Sequence, residues 1–141
     1  MPERCVIAFG GNLGDPDTIF QTAIAALERG SFRVERISAV ITTEPVGCEP
    51  GAPQFRNGVL TGCWDGDPHD LLALCRRIEA DLGRPNDHEK SVSRTLDLDI
   101  ILFGTKKIST PDLTVPHPRA KDRDFVLIPL REIAPELIGL L

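Results

Sequence analysis

Asp97 and Asp99 lie in the stretch Arg94-Thr-Leu-Asp-Leu-Asp-Ile-Ile-Leu-Phe-Gly104. Leu96, Leu98, Ile100 and Leu102 alternate there with Asp97, Asp99, Ile101 and Phe103, which is the two-residue period of a β-strand. Side chains at i and i+2 of a strand point the same way. Two carboxylates side by side repel each other unless something positive lies between them. Oxygen-only ligation suits Mg²⁺, which keeps waters and takes further ligands from a phosphate substrate. The competing reading is an exposed strand end whose aspartates face water or pair with Arg94.

Three other stretches carry chemical potential. His117, Arg119, Lys121 and Arg123 fall within seven residues, a cationic cluster that suits a polyphosphate or, alternatively, a solvated charged turn. Residues 43–53 hold Pro45, Pro50 and Pro53 with Gly47 and Gly51. Such a loop is stiff and presents free backbone groups, fit for a flat heterocycle or simply a long hairpin connection. Residues 84–93 are polar except for Pro85 and Val92 and lead into the Asp strand, as a surface loop or lid would. Gly10-Gly-Asn-Leu-Gly14 is not a phosphate loop, because no Gly-Lys-Ser/Thr closes it; it reads as a tight strand-to-helix turn. His69 has no partner at metal-ligand spacing and is expected to be exposed.

The elements that must position these groups follow from pattern. Residues 5–9 form an apolar strand, and Asp15-Pro16 then caps a helix with Phe20, Ala23, Ile24 and Leu27 on one face, ending at Gly30. Residues 32–42 and 55–64 read as strands, the latter with Phe55, Asn57, Val59, Thr61 and Cys63 on one face. Asp67-Pro68 opens a second helix whose stripe is Leu71, Cys75, Ile78 and Leu82, ending at Gly83. After the Asp strand come a minor strand or turn at 106–109 and a buried apolar run at 125–133, with Pro135 closing the last ordered element. Strand–helix–strand–strand–helix–strand is the order of an α+β, ferredoxin-like βαββαβ domain with helices packed on an antiparallel-rich sheet.

The chain has 141 residues, the length of a single domain over 1–141. A net charge of −5 argues against a general binder of nucleic acid or anionic membrane. The amino terminus has no signal-peptide layout, and no apolar run reaches membrane-spanning length. Cys5, Cys48, Cys63 and Cys75 are scattered, so reduced thiols in a cytoplasmic protein are expected, Cys63 and Cys75 as core filling.

The motifs together resemble a family. Phe9-Gly-Gly-Asn-Leu-Gly14, Thr43-Glu-Pro-Val-Gly47, Phe55-Arg-Asn57, Arg94 to Gly104, Val115-Pro-His-Pro-Arg119 and Arg123-Asp-Phe125 occur in that order. This resembles 6-hydroxymethyl-7,8-dihydropterin pyrophosphokinase, from the first strand to Pro135. The resemblance implies an enzyme of folate biosynthesis that transfers diphosphate from ATP to the pterin's hydroxymethyl group, releasing AMP. It implies that Asp97 and Asp99 hold two Mg²⁺ ions, and that Arg84 and Arg94 are catalytic. Glu79, Arg94, Thr114, His117 and Arg123 would contact the nucleotide. Thr43, Pro45, Val46, Gly47, Phe55, Asn57 and Phe125 would form the pterin site, Asn57 on the amino-pyrimidine edge and Phe125 stacked on the ring. The implied partners are small molecules, ATP and the pterin, with no nucleic acid or membrane; a monomer is expected.

The chain also departs from the family pattern. Ser91-Val-Ser-Arg94 stands where relatives often have Trp-Gly-Pro-Arg, Asn86 where a second lid arginine is expected, and Asp112 where another arginine is common. A paralogue that binds without turnover is the alternative these changes suggest. A ferredoxin-like RNA-binding module would need a set of strand aromatics and a basic face, against which stand the absence of Tyr and the acidic balance of this chain.

Overall fold

The apolar run at residues 5–9 is the middle of a longer strand, β1 (Glu3–Gly11), in the computed structural model, which describes residues 2–12, 16–43, 55–83 and 96–141. Then follow α1 (Pro16–Arg29), β2 (Arg33–Ile37), β3 (Ile41–Thr43), β4 (Phe55–Trp64), α2 (Pro68–Gly83) and β5 (Leu96–Phe103). A short hairpin, β6 (Ile108–Ser109) and β7 (Thr114–Val115), leads through a 3-10 turn at Ala120–Asp122 into α3 (Asp124–Ile133) and a 3-10 segment, Pro135–Leu140. The main sheet has the order β2-β4-β1-β5, with β3 also on β4, and every pairing is antiparallel. That is the α+β, ferredoxin-like arrangement expected from the element order.

Alternation along β1 divides the core in two. Cys5, Ile7 and Phe9 join Phe20, Ala23 and Leu27 of α1 and Leu71, Cys75 and Ile78 of α2 in one buried cluster. Val6 joins Val59, Ile101 and the α3 residues Val126, Leu130 and Ile133 in the other. Each fully buried Leu, Ile or Phe contributes roughly 1.5–3 kcal/mol, so both sheet faces are substantially held. Burial pushes the Cys5 and Cys75 thiols up to about 12, as expected of core filling. Cys63 is only half-buried, which corrects its assignment to the core.

Several boundaries differ from the sequence expectation for identifiable reasons. Gly10 and Gly11 are not turn residues but the last rungs of β1, paired to both β4 and β5. The run 32–42 is two strands, because Ser38 interrupts the ladder. Its backbone N–H donates to the Val59 carbonyl (2.9 Å), while its Oγ accepts from the Val59 N–H (2.9 Å), so a side chain replaces a strand bond. Ala39 N–H donates to the Glu132 carboxylate (3.1 Å), which ties this break to α3. On β5 the register against β1 shifts between Val6 and Ile7, which face Leu102 and Ile100. The extra residue reverses the alternation. Leu102 therefore packs with α3 and Phe103 with α1 and α2, the opposite of strict period two.

The 125–133 run is a helix despite Pro129 inside it, and Pro135 opens a 3-10 segment rather than closing the ordered chain. At the end of α1 the left-handed residue is Ser31 (φ 80°), not Gly30. Phe32 N–H donates to the Leu27 carbonyl (3.0 Å), a Schellman-type cap. Gly30 is instead a point of close approach, since a Cβ there would lie 2.6 Å from a methyl group of Leu74 of α2.

Ser38→Ala leaves the buried Val59 N–H without its acceptor, so unfolding in urea should show a loss of about 1–3 kcal/mol. A change below about 0.5 kcal/mol would mean that the strand break does not depend on the hydroxyl.

Candidate active site

At one end of the sheet the inner side chains shrink along the central strand and become polar on its neighbours. On the α3 side of β1 the sequence is Val6, Ala8, Gly10. Val6 faces Thr61 and Leu102, Ala8 faces Val59 and Asp99, and Gly10 faces Asn57 and Asp97. The floor thus falls away just where Asn57 and the two aspartates begin. A cavity of about 260 Å³ opens there, with Phe55, Asn57, Asp97, Asp99, Arg123 and Phe125 in its wall. The structure brings these six sequence-identified residues together.

Asp97 and Asp99 share one face, as the period required, because the β5 irregularity lies beyond them. The carboxyl of Asp97 is pushed above the ordinary range, first by desolvation, then by the Asp99 and Glu79 charges, although its surface is still open to solvent. A crowd of carboxylates under partial burial is an environment that a cation relieves. Among the described residues no group of three metal-binding side chains exists. The aspartate pair offers oxygen ligands only, leaving the remaining positions of a Mg²⁺ ion to water and phosphate.

Two side chains of α2 clamp β5. The Leu98 N–H, between the aspartates, donates to Glu79 Oε2 (2.7 Å), and Arg76 Nη1 donates to the Leu98 carbonyl (3.1 Å) and to Glu79 (2.7 Å). The open edge of β5 is thereby satisfied at Leu98. Glu79, expected near the nucleotide, is committed to this clamp. Arg76, which the sequence reading passed over, is its other half; no motif marks it beyond the i, i+3 spacing from Glu79.

His117 is tied to β5 by its N–H to the Ile101 carbonyl (2.9 Å), and its Nδ1 accepts the Arg119 N–H (3.2 Å). Burial, with Arg123 and Arg119 nearby, holds its pKa below the usual imidazole value against the pull of Asp99. The neutral ring therefore carries its proton on Nε2, a ready donor. Arg123 lies over the Phe125 ring, 5.4 Å from its centroid, within cation–π range. Thr114 is exposed on β7. His69, expected to be merely exposed, meets Thr110 Oγ1 and Asp112 Oδ1, each at 3.2 Å. Arg84, Arg94, Pro45, Val46, Gly47, the lid positions Asn86 and Ser91, and the side chain of Thr43 lie outside the described residues. The backbone of Thr43 pairs with Phe55.

Sequence comparison places these features among known proteins. A family model described as 7,8-dihydro-6-hydroxymethylpterin-pyrophosphokinase (HPPK) matches residues 6–135. The chain is 41% identical over 132 residues to the 2-amino-4-hydroxy-6-hydroxymethyldihydropteridine pyrophosphokinase of Bacillus subtilis, covering 93% of this chain and 78% of that one. It is 39% identical over 138 residues to the protein of the same name from Pseudomonas aeruginosa, covering 97% and 84%. Its fold resembles a crystal structure of an HPPK-DHPS in complex with substrates, with a TM-score of 0.72 at 16% identity. That match covers 96% of this chain and 41% of the larger one, and bears on fold alone.

The raised Asp97 pKa has a consequence for the metal-free protein. An acid whose folded pKa lies above its unfolded one loses stability as pH rises from the unfolded value through the folded value. Asp97→Asn removes that penalty, so in EDTA at pH 7 it should melt above the parent, and the gap should close as acid protonates Asp97 in both states. A lower melting temperature for the variant at pH 7 would refute the crowding.

Proposed function

The chain belongs to the 7,8-dihydro-6-hydroxymethylpterin-pyrophosphokinase family, and we propose that the cavity at the Gly10 end of the sheet is where its pterin meets ATP. The reaction is diphosphate transfer: the hydroxymethyl oxygen attacks the β-phosphorus of ATP, the P–O bond to the α-phosphate breaks, the hydroxyl proton is lost, and AMP leaves. One observation supports this site above others. Asn57 and Asp97 flank Gly10 in a single row across three strands, so a group suited to read a heterocycle edge is separated from the carboxylate pair by one intervening strand.

In this reading Asn57 presents both a donor and an acceptor to the amino-pyrimidine edge. Phe125 and Phe55 offer aromatic surface to the ring from the cavity wall. Asp97 and Asp99 would hold Mg²⁺, two ions by the family resemblance, which when bound neutralise charge on the transferring phosphates. His117, through Nε2–H, and Arg123 donate to phosphate oxygens. Arg84 and Arg94 add cations, Glu79 and Thr114 border the nucleotide, and the backbones of Thr43, Pro45, Val46 and Gly47 frame the pterin. No described side chain is placed as a general base, so alignment of the hydroxyl and stabilisation of developing charge account for the rate. The reading extends to a single-domain, monomeric enzyme of the cytoplasm.

The direct test is AMP formation from ATP and 6-hydroxymethyl-7,8-dihydropterin, with and without Mg²⁺. Asp97→Ala and Asp99→Ala should each lower turnover by at least about 100-fold, about 2.7 kcal/mol of barrier, with the fold retained. Activity within about threefold of the parent at saturating Mg²⁺ would remove the metal assignment. Asn57→Ala and Phe125→Ala should weaken pterin by about tenfold or more while changing ATP affinity little, because a lost edge contact is worth roughly 1–3 kcal/mol. Unchanged pterin affinity in both, by calorimetry, would move the site elsewhere.

A further inference from the structure

Gly10 has no conformational reason to be glycine. It lies inside β1, paired on both sides, and the described glycines with positive φ are Gly66 and Gly104. What it lacks is space. A Cβ built on Gly10 would stand 2.5 Å from Oδ1 and 3.5 Å from Cγ of Asn57, with the Arg56 carbonyl oxygen also at 3.5 Å. The first distance is well inside van der Waals contact, and the others are ordinary. The amide of Asn57 therefore lies across Gly10 and occupies the place its side chain would take.

On the other side Gly10 faces Asp97. A side chain at this position would displace the Asn57 amide. Ala8, one rung further in, faces Asp99 and Val59, where a methyl group is accommodated. The decrease from Val6 through Ala8 to Gly10 thus ends where the side chain must vanish.

We propose that Gly10 is a positioning and specificity-determining residue of the pterin site: its missing side chain sets the Asn57 amide in the orientation that reads the heterocycle edge. The inference rests on the assignment of Asn57 to the pterin. It requires that Gly10 act through Asn57, and that ATP be affected little.

The experiment is a double-mutant cycle of Gly10→Ala and Asn57→Ala, with pterin affinity and affinity for a non-hydrolysable ATP analogue with Mg²⁺ measured by calorimetry. Gly10→Ala should weaken pterin by about tenfold or more and change the analogue by less than about threefold. In the Asn57→Ala background the methyl group meets no amide, so Gly10→Ala should add less than about twofold. Additive effects on pterin would overturn the proposal, since Gly10 would then act independently of Asn57. A neutral Gly10→Ala beside a damaging Asn57→Ala would overturn it while leaving the pterin site in place. A neutral Asn57→Ala would overturn both. If Gly10→Ala alone fails to fold, the clash requires the double variant to fold. A double variant that also fails would trace the defect to the strand and overturn the proposal.

Discussion

The antiparallel pairing of β1 on both its edges is the constraint on which the site depends. Backbone hydrogen bonds set which residue faces which, and side chains only then inherit a neighbour. With Gly10 opposite both Asn57 and Asp97, the row is fixed by main chain rather than by loop conformation. A slip of one residue in either pairing would send one partner to the α1–α2 face. The opposite face guards against that slip, because Leu60 of β4, or Leu98 and Ile100 of β5, would have to leave the core they share with Ile7 and Phe9. Precision at the site is therefore a by-product of burial elsewhere.

β5 works against itself electrostatically and is held by other means. Its two aspartates crowd one face, and its outer edge has no neighbouring strand in the main sheet order. The Arg76–Glu79 pair satisfies both backbone groups of Leu98, and the His117 N–H takes the Ile101 carbonyl. These contacts stiffen the strand between and just beyond the two carboxylates. The bulge near Ile101 then turns Leu102 toward α3, where it packs beside Ile101, a residue of the cavity wall.

Much of this was legible in the sequence, and the rest was hidden for physical reasons. Period two gave the shared face of Asp97 and Asp99, and Asp67-Pro68 gave the start of α2, where the His69 N–H donates to Asp67 Oδ1 at 2.7 Å. Local pattern could not reveal the bulge, since Ile101, Leu102 and Phe103 are equally apolar and either face would accept them. It misread Gly10 and Gly11 because glycine usually marks a turn, whereas here both are rungs of β1 and the Asn57 amide lies against one of them. It did not foresee α3, because Pro129 inside an apolar run argues against a helix, and only packing on Val59 and Val6 supplies the compensation.

Asp112, expected from the family resemblance to be a departure, is drawn into a local tie: the Thr110 hydroxyl (2.8 Å) and His69 Nε2 (3.2 Å) engage its carboxylate and join α2 to the β6–β7 hairpin. The charges that remain around the cavity among the described residues are uneven. Asp97, Asp99 and Glu79 are set against Arg123 and Arg76, and Arg76 is already engaged by Glu79. His117, held below its usual pKa, contributes a donor rather than a full charge. The Asp97 and Asp99 carboxylates repel a polyanion that approaches them directly. Under the proposed function divalent cations would reverse that sign locally, so ATP and metal would bind as mutually dependent ligands.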